Sequence, residues 1–273
     1  MYFEEMTKRD LLIFDSVGGM RLAKVHKAIN MKTGQKIAVK MYKDIDKESA
    51  LWEIDANEHL QHKNIIKYHG WFKDGGMYYI LFDLAPMGDV WNYLQSKDES
   101  MTEEETKSIL SSILNAVSHI HSKKWIHRDI KPENVLIFKD LKGKLCDLEF
   151  ALDTKRGEPE HRVGTLEYMS PEMLMSGMKI RMGYSNETDI WSIGILAFEC
   201  LHKKTPFIGN THEDMLSDIV QKIIGNEIVF DSHISHNARD FIMGCLQWEP
   251  GRRTPITNLI QHEWFLKCAP CCF

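Results

Sequence analysis

The sequence predicts a two-lobed α+β architecture: a small antiparallel sheet with one important helix, then a larger and mainly helical part. Two observations carry that expectation. Short β-compatible runs crowd the first third of the chain, at Leu11 to Val17, Ala23 to Asn30, Lys36 to Tyr42, Ile65 to Phe72 and Met77 to Leu84. From Gly88 onward the apolar spacing changes to the helical period. The junction falls near Asp83-Leu84-Ala85-Pro86, where a proline and then Gly88 interrupt regular structure. Residues 1–84 are therefore expected to form the first lobe, 85–266 the second, and 267–273 a tail.

Each element has a local reason. The second and third strands are joined by the glycine-containing turn Met31-Lys32-Thr33-Gly34-Gln35, and the last two form a hairpin around Lys73-Asp74-Gly75-Gly76. A helix over Lys47 to Leu60 interrupts the strands. Thr102 with Glu105 is a capping box that opens a helix whose apolar face reads Ile109, Leu110, Ile113, Leu114, Val117 and Ile120. Further helices are expected near Asp189 to His202, Asp214 to Ile224 and His236 to Leu246. No internal repeat or low-complexity linker is visible.

Composition narrows the function. A chain of 273 residues with 43% hydrophobic content can bury a core, and a formal net charge of -5 lacks the basic surplus of general nucleic-acid binding. Protein is the expected partner, with no nucleic acid. No apolar run reaches bilayer length, and the start Met1-Tyr2-Phe3-Glu4-Glu5 lacks the regions of a signal peptide, so the cytosol or nucleus is expected. Six cysteines do not suggest a disulfide scaffold. Cys146, Cys200 and Cys245 lie in apolar runs that read as core. Cys268, Cys271 and Cys272 crowd a tail expected to be flexible and functionally silent: its Cys-x-x-Cys pair could hold a metal, while the prenylation pattern fails because Pro270 sits where the modified cysteine would belong.

The most informative stretch is His127-Arg128-Asp129-Ile130-Lys131-Pro132-Glu133-Asn134, which resembles the catalytic loop of eukaryotic-type serine/threonine protein kinases. The resemblance implies a bilobal kinase-like fold that uses ATP and Mg2+. It implies that Asp129 accepts the proton of a substrate hydroxyl, that Asn134 holds magnesium, and that Lys131 offsets the charge of the transferring phosphate. Further positions match. Ala38-Val39-Lys40 ends the third strand where the phosphate-pairing lysine belongs, Glu53 lies on the next helix as its ion-pair partner, and Asp147 stands where the second metal ligand starts its motif. Gly164-Thr165 and Ser170-Pro171-Glu172 resemble the end of an activation segment, with the Thr165 hydroxyl expected to bridge Asp129 and Lys131. Asp189 would brace the catalytic loop, and Arg253 would pair with Glu172.

The same resemblance, spanning roughly residues 10 to 266, assigns nucleotide contacts to Val17, Gly18, Gly19, Val25, Ala38, Lys40, Phe82, Asp83, Ala85, Glu133, Asn134, Leu136 and Asp147. Phe82 is expected to be a bulky residue closing the pocket behind adenine. Asp89, Glu133 and Glu199 are the matching positions for acids that read arginines ahead of the target hydroxyl, through charge-assisted bonds. Residues Glu53 to Gly70 and Gly164 to Glu172 look most like Aurora and checkpoint kinases.

Two departures keep an alternative open, a pseudokinase acting as a protein-binding or allosteric module. The phosphate-covering pattern Gly-x-Gly-x-x-Gly-x-Val is here Gly18-Gly19-Met20-Arg21-Leu22-Ala23-Lys24-Val25, with the first glycine alone in register. The metal motif reads Asp147-Leu148-Glu149, with Glu in place of Gly, which is expected to narrow its conformations and disfavour an arrangement with Asp147 turned out. Neither change removes a catalytic side chain, so an active enzyme is the expectation. Between Asp147 and Gly164 the only hydroxyl side chain is Thr154, whereas Glu158 and Glu160 could imitate a phosphate by pairing with Arg128. Activity without phosphorylation of this segment is therefore expected.

Overall fold

The computed structural model describes residues 6–19, 23–157, 161–176 and 183–266 and places a five-stranded antiparallel sheet ahead of a helical part. Strands β1 (Leu11–Gly19), β2 (Ala23–Asn30) and β3 (Lys36–Lys43) run consecutively. Helix α1 (Lys47–His59) follows, then β4 (Tyr68–Asp74) and β5 (Met77–Asp83). The strand order is β1-β2-β3-β5-β4, so β5 pairs directly with β3 and leads out of the sheet beside it. Apolar residues cover both faces. Ile80 and Phe82 of β5 pack with Ala50 and Ile54 of α1, while Tyr79 and Leu81 point to the other side with Met6, Leu11 and Phe72. A strand buried on both faces needs no polar alternation, which explains the unbroken run Tyr78-Tyr79-Ile80-Leu81-Phe82.

The β4–β5 turn has Gly75 and Gly76 at φ 54° and 73°, the paired left-handed conformation of a tight hairpin turn. Several boundaries differ from expectation by one to three residues. Among them, β1 extends past Val17 to Gly19, and β4 begins at Tyr68 rather than Ile65. The reason for the second is a competing partner. Ile65 bridges Leu145, and the Ile66 amide donates to the Leu145 carbonyl at 2.8 Å, so these residues tie the sheet to the helical part instead of joining it.

The helical part contains α2 (Val90–Gln95), α3 (Glu103–Ser122), α4 (Pro171–Met175), α5 (Glu187–His202), α6 (His212–Ile224), α7 (His236–Cys245) and α8 (Ile256–Ile260). Short strands β6 (Trp125–Ile126), β7 (Val135–Phe138), β8 (Lys142–Leu145) and β9 (Leu152–Asp153) frame the loops between α3 and α4. The capping box at Thr102 and Glu105 is present, and every named apolar residue of α3 is buried. Helix α5 is buried along nearly its whole length, which makes it the post around which the catalytic loop is fixed. Arg253 and Glu172 form a buried two-pronged pair at 2.6 and 2.7 Å. Among the described residues no helix is long and apolar enough to cross a membrane. Cys200 and Cys245 are buried and Cys146 is half-buried; the cysteines of the tail lie outside the described residues.

Candidate active site

Strand β3 presents Lys40 and Tyr42 on the same face, two residues apart, toward α1. The Lys40 ammonium lies 2.9 Å from Glu53 Oε2, 2.8 Å from Asp147 Oδ1 and 3.6 Å from Glu149 Oε2. The Tyr42 hydroxyl donates to Glu53 Oε2 at 2.5 Å and lies 3.4 Å from Glu149 Oε2. Burial opposes the Lys40 charge, yet Glu53 and Asp147 raise its pKa well above the ordinary lysine value. One ammonium cannot stabilise three carboxylates equally. Burial drives Glu53 and Glu149 upward, while for Asp147 the pull of Lys40 overcomes burial and the carboxyl is lowered. Asp147 lies turned inward against Lys40. The Glu149 backbone N–H also supports it.

The catalytic-loop side chains converge on Asp129. Its Oδ1 accepts from the Thr165 hydroxyl at 2.9 Å, and its Oδ2 accepts from Asn134 Nδ2 at 2.9 Å and lies 3.0 Å from Lys131 Nζ. Lys131 in turn donates to Thr165 Oγ1 at 2.7 Å, so the threonine bridges acid and base as expected. Two features hold the loop in place. Asp189 of α5 accepts from the backbone amides of His127 and Arg128, each at 2.9 Å, which fixes Arg128 at φ 70°. Gly164, at φ 91°, allows the activation segment to close on the loop: a Cβ there would meet the Arg128 carbonyl at 2.5 Å.

The donor atoms suit a hard divalent cation. Asp147 Oδ2 is buried and, among the described residues, has no hydrogen-bond partner, and Asn134 spends its amide nitrogen on Asp129, so its amide oxygen is the atom a cation would take. Among the described residues no group of three or more His, Cys, Asp or Glu is placed to hold a metal ion by itself. Ala38, Phe82, Leu136 and Cys146 pack together beside these groups. Val25 pairs with Lys40, and Ala38 with Phe82, in the sheet register. Asp83 accepts from or pairs with His69 at 2.8 Å and lies 3.7 Å from Lys144, ahead of Ala85 in the connecting loop. Gly18 and Gly19 pair with Val25 and Lys24 at the end of β1; Met20, Arg21 and Leu22 and the side chain of Val17 lie outside the described residues.

The three acids expected to read arginine differ in their surroundings. Asp89 caps α2, accepting from the Asn92 amide at 2.7 Å and its side chain at 2.8 Å. Glu133 is exposed. Glu199 is only 5% exposed and accepts a short hydrogen bond from the Tyr168 hydroxyl. Burial, with Glu133 and Glu167 nearby, pushes its pKa up to about 7. Glu133 and Glu199 therefore share a field, to which Glu167 also contributes.

Sequence reasoning missed Tyr42, Glu167 and Tyr168, and it valued Glu149 for its backbone alone. The spacing of Tyr42 from Lys40 on one strand face was the available signal for the first. Glu158 and Glu160, expected to pair with Arg128, lie outside the described residues. Arg128 itself donates from Nε to the Phe150 carbonyl at 2.6 Å and from Nη1 to the Tyr184 hydroxyl at 3.0 Å.

Comparison with known proteins gives a consistent picture. Residues 13–265 match the protein kinase domain. The chain is 31% identical to Aurora kinase A-A of Xenopus laevis over 79% of this chain and 50% of that protein. It is 31% identical to Aurora kinase C of Mus musculus over 78% and 73% respectively. With serine/threonine-protein kinase PLK4 of Drosophila grimshawi it shares 29% identity over 89% of this chain and 32% of the relative. The chain thus spans about half the length of the Aurora kinase A relatives it matches.

Proposed function

Because the chain belongs to the protein kinase domain family, we propose that it transfers the γ-phosphate of ATP to Ser or Thr hydroxyls of proteins, preferring basic residues upstream of the target. The observation that carries this reading is the Asp129 constellation, in which base, amide, lysine and threonine are joined by hydrogen bonds around one carboxylate.

In this reading a substrate hydroxyl enters beside Asp129, its oxygen forms the new bond to phosphorus, ADP leaves with the bonding pair, and the proton passes to Asp129. Lys131 stands 3.0 Å from that carboxylate and offsets charge on the transferred group. Thr165 holds Lys131 and Asp129 in register, and its place in the activation segment makes peptide docking and catalytic geometry one structure. Lys40, steadied by Glu53, orients the α- and β-phosphates. Val25, Ala38, Phe82 and Leu136 enclose adenine, whose polar edge faces the backbone of Asp83 and Ala85. Asp147 and Asn134 would hold Mg2+, which supplies charge neutralisation on the phosphates when bound. Glu133, Glu199 and Asp89 receive the guanidinium groups of upstream arginines.

The test is magnesium-dependent transfer from ATP to a Ser/Thr peptide library in which arginine is varied upstream, with Asp147→Asn as control. Transfer that disappears in the control supports the assignment. A folded protein that binds nucleotide and transfers nothing overturns it in favour of a binding module.

A further inference from the structure

The Arg128 guanidinium sits beneath the activation segment and carries several N–H donors that must find acceptors once water is excluded. The Phe150 carbonyl takes Nε at 2.6 Å, and the Tyr184 hydroxyl takes Nη1 at 3.0 Å. Tyr184 is 6% exposed, and its hydroxyl in turn donates to the His161 carbonyl at 2.7 Å. A hydroxyl that accepts from a cation and donates to a carbonyl is polarised in one direction, which strengthens both bonds. The chain of contacts therefore runs from the residue beside Asp129, through the loop ahead of α5, to the activation segment just before Gly164 and Thr165.

The described part of the segment from Ala151 to Arg156 is also fastened by ordinary side chains. Trp52 of α1 donates from Nε1 to the Ala151 carbonyl at 2.7 Å, and Arg156 pairs with Asp55 of the same helix. Thr154, the only hydroxyl side chain between Asp147 and Gly164, donates to the Lys124 carbonyl at 2.9 Å. Its oxygen thus faces the turn after α3, where it is already engaged.

We propose that Tyr184 is a positioning residue that fastens the activation segment to Arg128 through a neutral hydroxyl, so that the segment reaches its working conformation with no phosphate on it. The inference rests on the kinase reading above. It rests on a phenol that lies outside the activation segment, where no motif marks it, and it is separate from the pairing of Glu158 or Glu160 with Arg128, which lies outside the described residues.

The experiment compares phosphatase-treated wild type, Tyr184→Phe and Arg128→Lys, measuring kcat, KM for ATP and amide hydrogen exchange over residues 161–168. Treated wild type should keep its turnover. Removing one buried hydrogen bond to a charged group should lower kcat in Tyr184→Phe by about tenfold, with KM for ATP nearly unchanged, and should speed exchange in that window. Arg128→Lys keeps the charge, leaves the phenol in place and should speed exchange in the same amides. It reports the link from its other end if Tyr184→Phe folds poorly. Adding Tyr184→Phe to it should cost little more, because both remove one link. Wild type that loses turnover on phosphatase treatment, or Tyr184→Phe with unchanged kcat and unchanged exchange, overturns the proposal. Should wild type transfer no phosphate at all, the kinase reading fails, and exchange still decides whether Tyr184 fastens the segment.

Discussion

The molecule gathers carboxylates in two places that differ in what stands among them. Glu53, Asp147 and Glu149 surround the buried ammonium of Lys40. Glu133, Glu167 and Glu199 share a field in which, among the described residues, none pairs with a lysine or arginine, and Glu199 has the Tyr168 hydroxyl for support. The first cluster is compensated from within, so its geometry is set before a ligand arrives. The second lacks a cation, and a guanidinium from outside would supply one. In the function proposed above, the same residue type thus makes a rigid phosphate-facing site in one place and a receptor for positive charge in the other.

The largest way to break this comparison is to remove the internal cation. Lys40→Met leaves Glu53, Asp147 and Glu149 buried without it, and removing one member of a buried pair costs about 3–5 kcal/mol. Turnover should fall by about 10²–10³-fold, the scale of losing one preorganised charge. Thermal melting and peptide phosphorylation check both. A variant that melts like wild type would show that Lys40 does not organise the cluster.

The opposite experiment removes a charge from the uncompensated cluster. Glu199 has a folded-state pKa of about 7, above the unfolded carboxylate value, so it binds its proton more tightly when folded. Stability is therefore lost as pH rises from the unfolded pKa to about 7 and stays lost above it, a loss on the order of 3 kcal/mol. Glu199→Gln, already neutral, should be more stable than wild type by about that amount at pH 8 and by little at pH 4. Urea unfolding at the two pH values measures the difference. Equal stabilities at pH 8 would mean that Glu199 is already compensated.

The cost should be recovered in binding. An arginine upstream of the target favours ionised Glu199, so affinity for arginine-containing peptides should rise between about pH 6 and 8, by roughly tenfold for one charge-assisted hydrogen bond, relative to alanine controls. Glu133→Gln removes a neighbour that raises Glu199, so the midpoint should move to lower pH while preference for arginine weakens. Peptide titration by calorimetry tests the pair of shifts. A preference independent of pH would separate arginine reading from Glu199.

How much of this was visible in the sequence depends on whether a residue works at a fixed distance along the chain. Asp129, Lys131 and Asn134 sit within one loop, so their chemistry can be read from spacing, and the strand runs joined by glycine-containing turns and the capped α3 follow from local patterns in the same way. Tyr168, Glu167 and Tyr184 act through packing against residues far away in the chain, and nothing near them in sequence announces it. The start of β4 was misplaced for a related reason: Ile65 and Ile66 look like strand residues and are extended, but their partner is Leu145, which local pattern cannot name. Glu149 falls between these cases. Its departure from glycine was visible, and the backbone consequence followed, but the reach of its side chain to Lys40 and Tyr42 depends on how β3 lies over the motif.

The smallest predicted effect concerns that residue and sharpens the first cluster rather than breaking it. Lys40 keeps close contacts with Glu53 and Asp147 when Glu149 is removed, since those lie at 2.9 and 2.8 Å and Glu149 at 3.6 Å. Glu149→Gly should therefore change KM for ATP by about fivefold or less, the worth of one modest hydrogen bond. The larger consequence is conformational. A glycine restores the backbone freedom that glutamate withholds, and the side-chain link from Asp147-Leu148-Glu149 to Tyr42 is lost. Hydrogen exchange of the motif should quicken, and ligands that require Asp147 turned out of the site should bind the variant more tightly than wild type. Tyr42→Phe separates the two causes. It removes the hydroxyl link and keeps Glu149, so it should reproduce the exchange effect only to the extent that the side chain, rather than the missing glycine, holds the motif inward. If Glu149→Gly shows no change in either measurement, Asp147 is held inward by Lys40 and the backbone N–H of residue 149, without help from the Glu149 side chain.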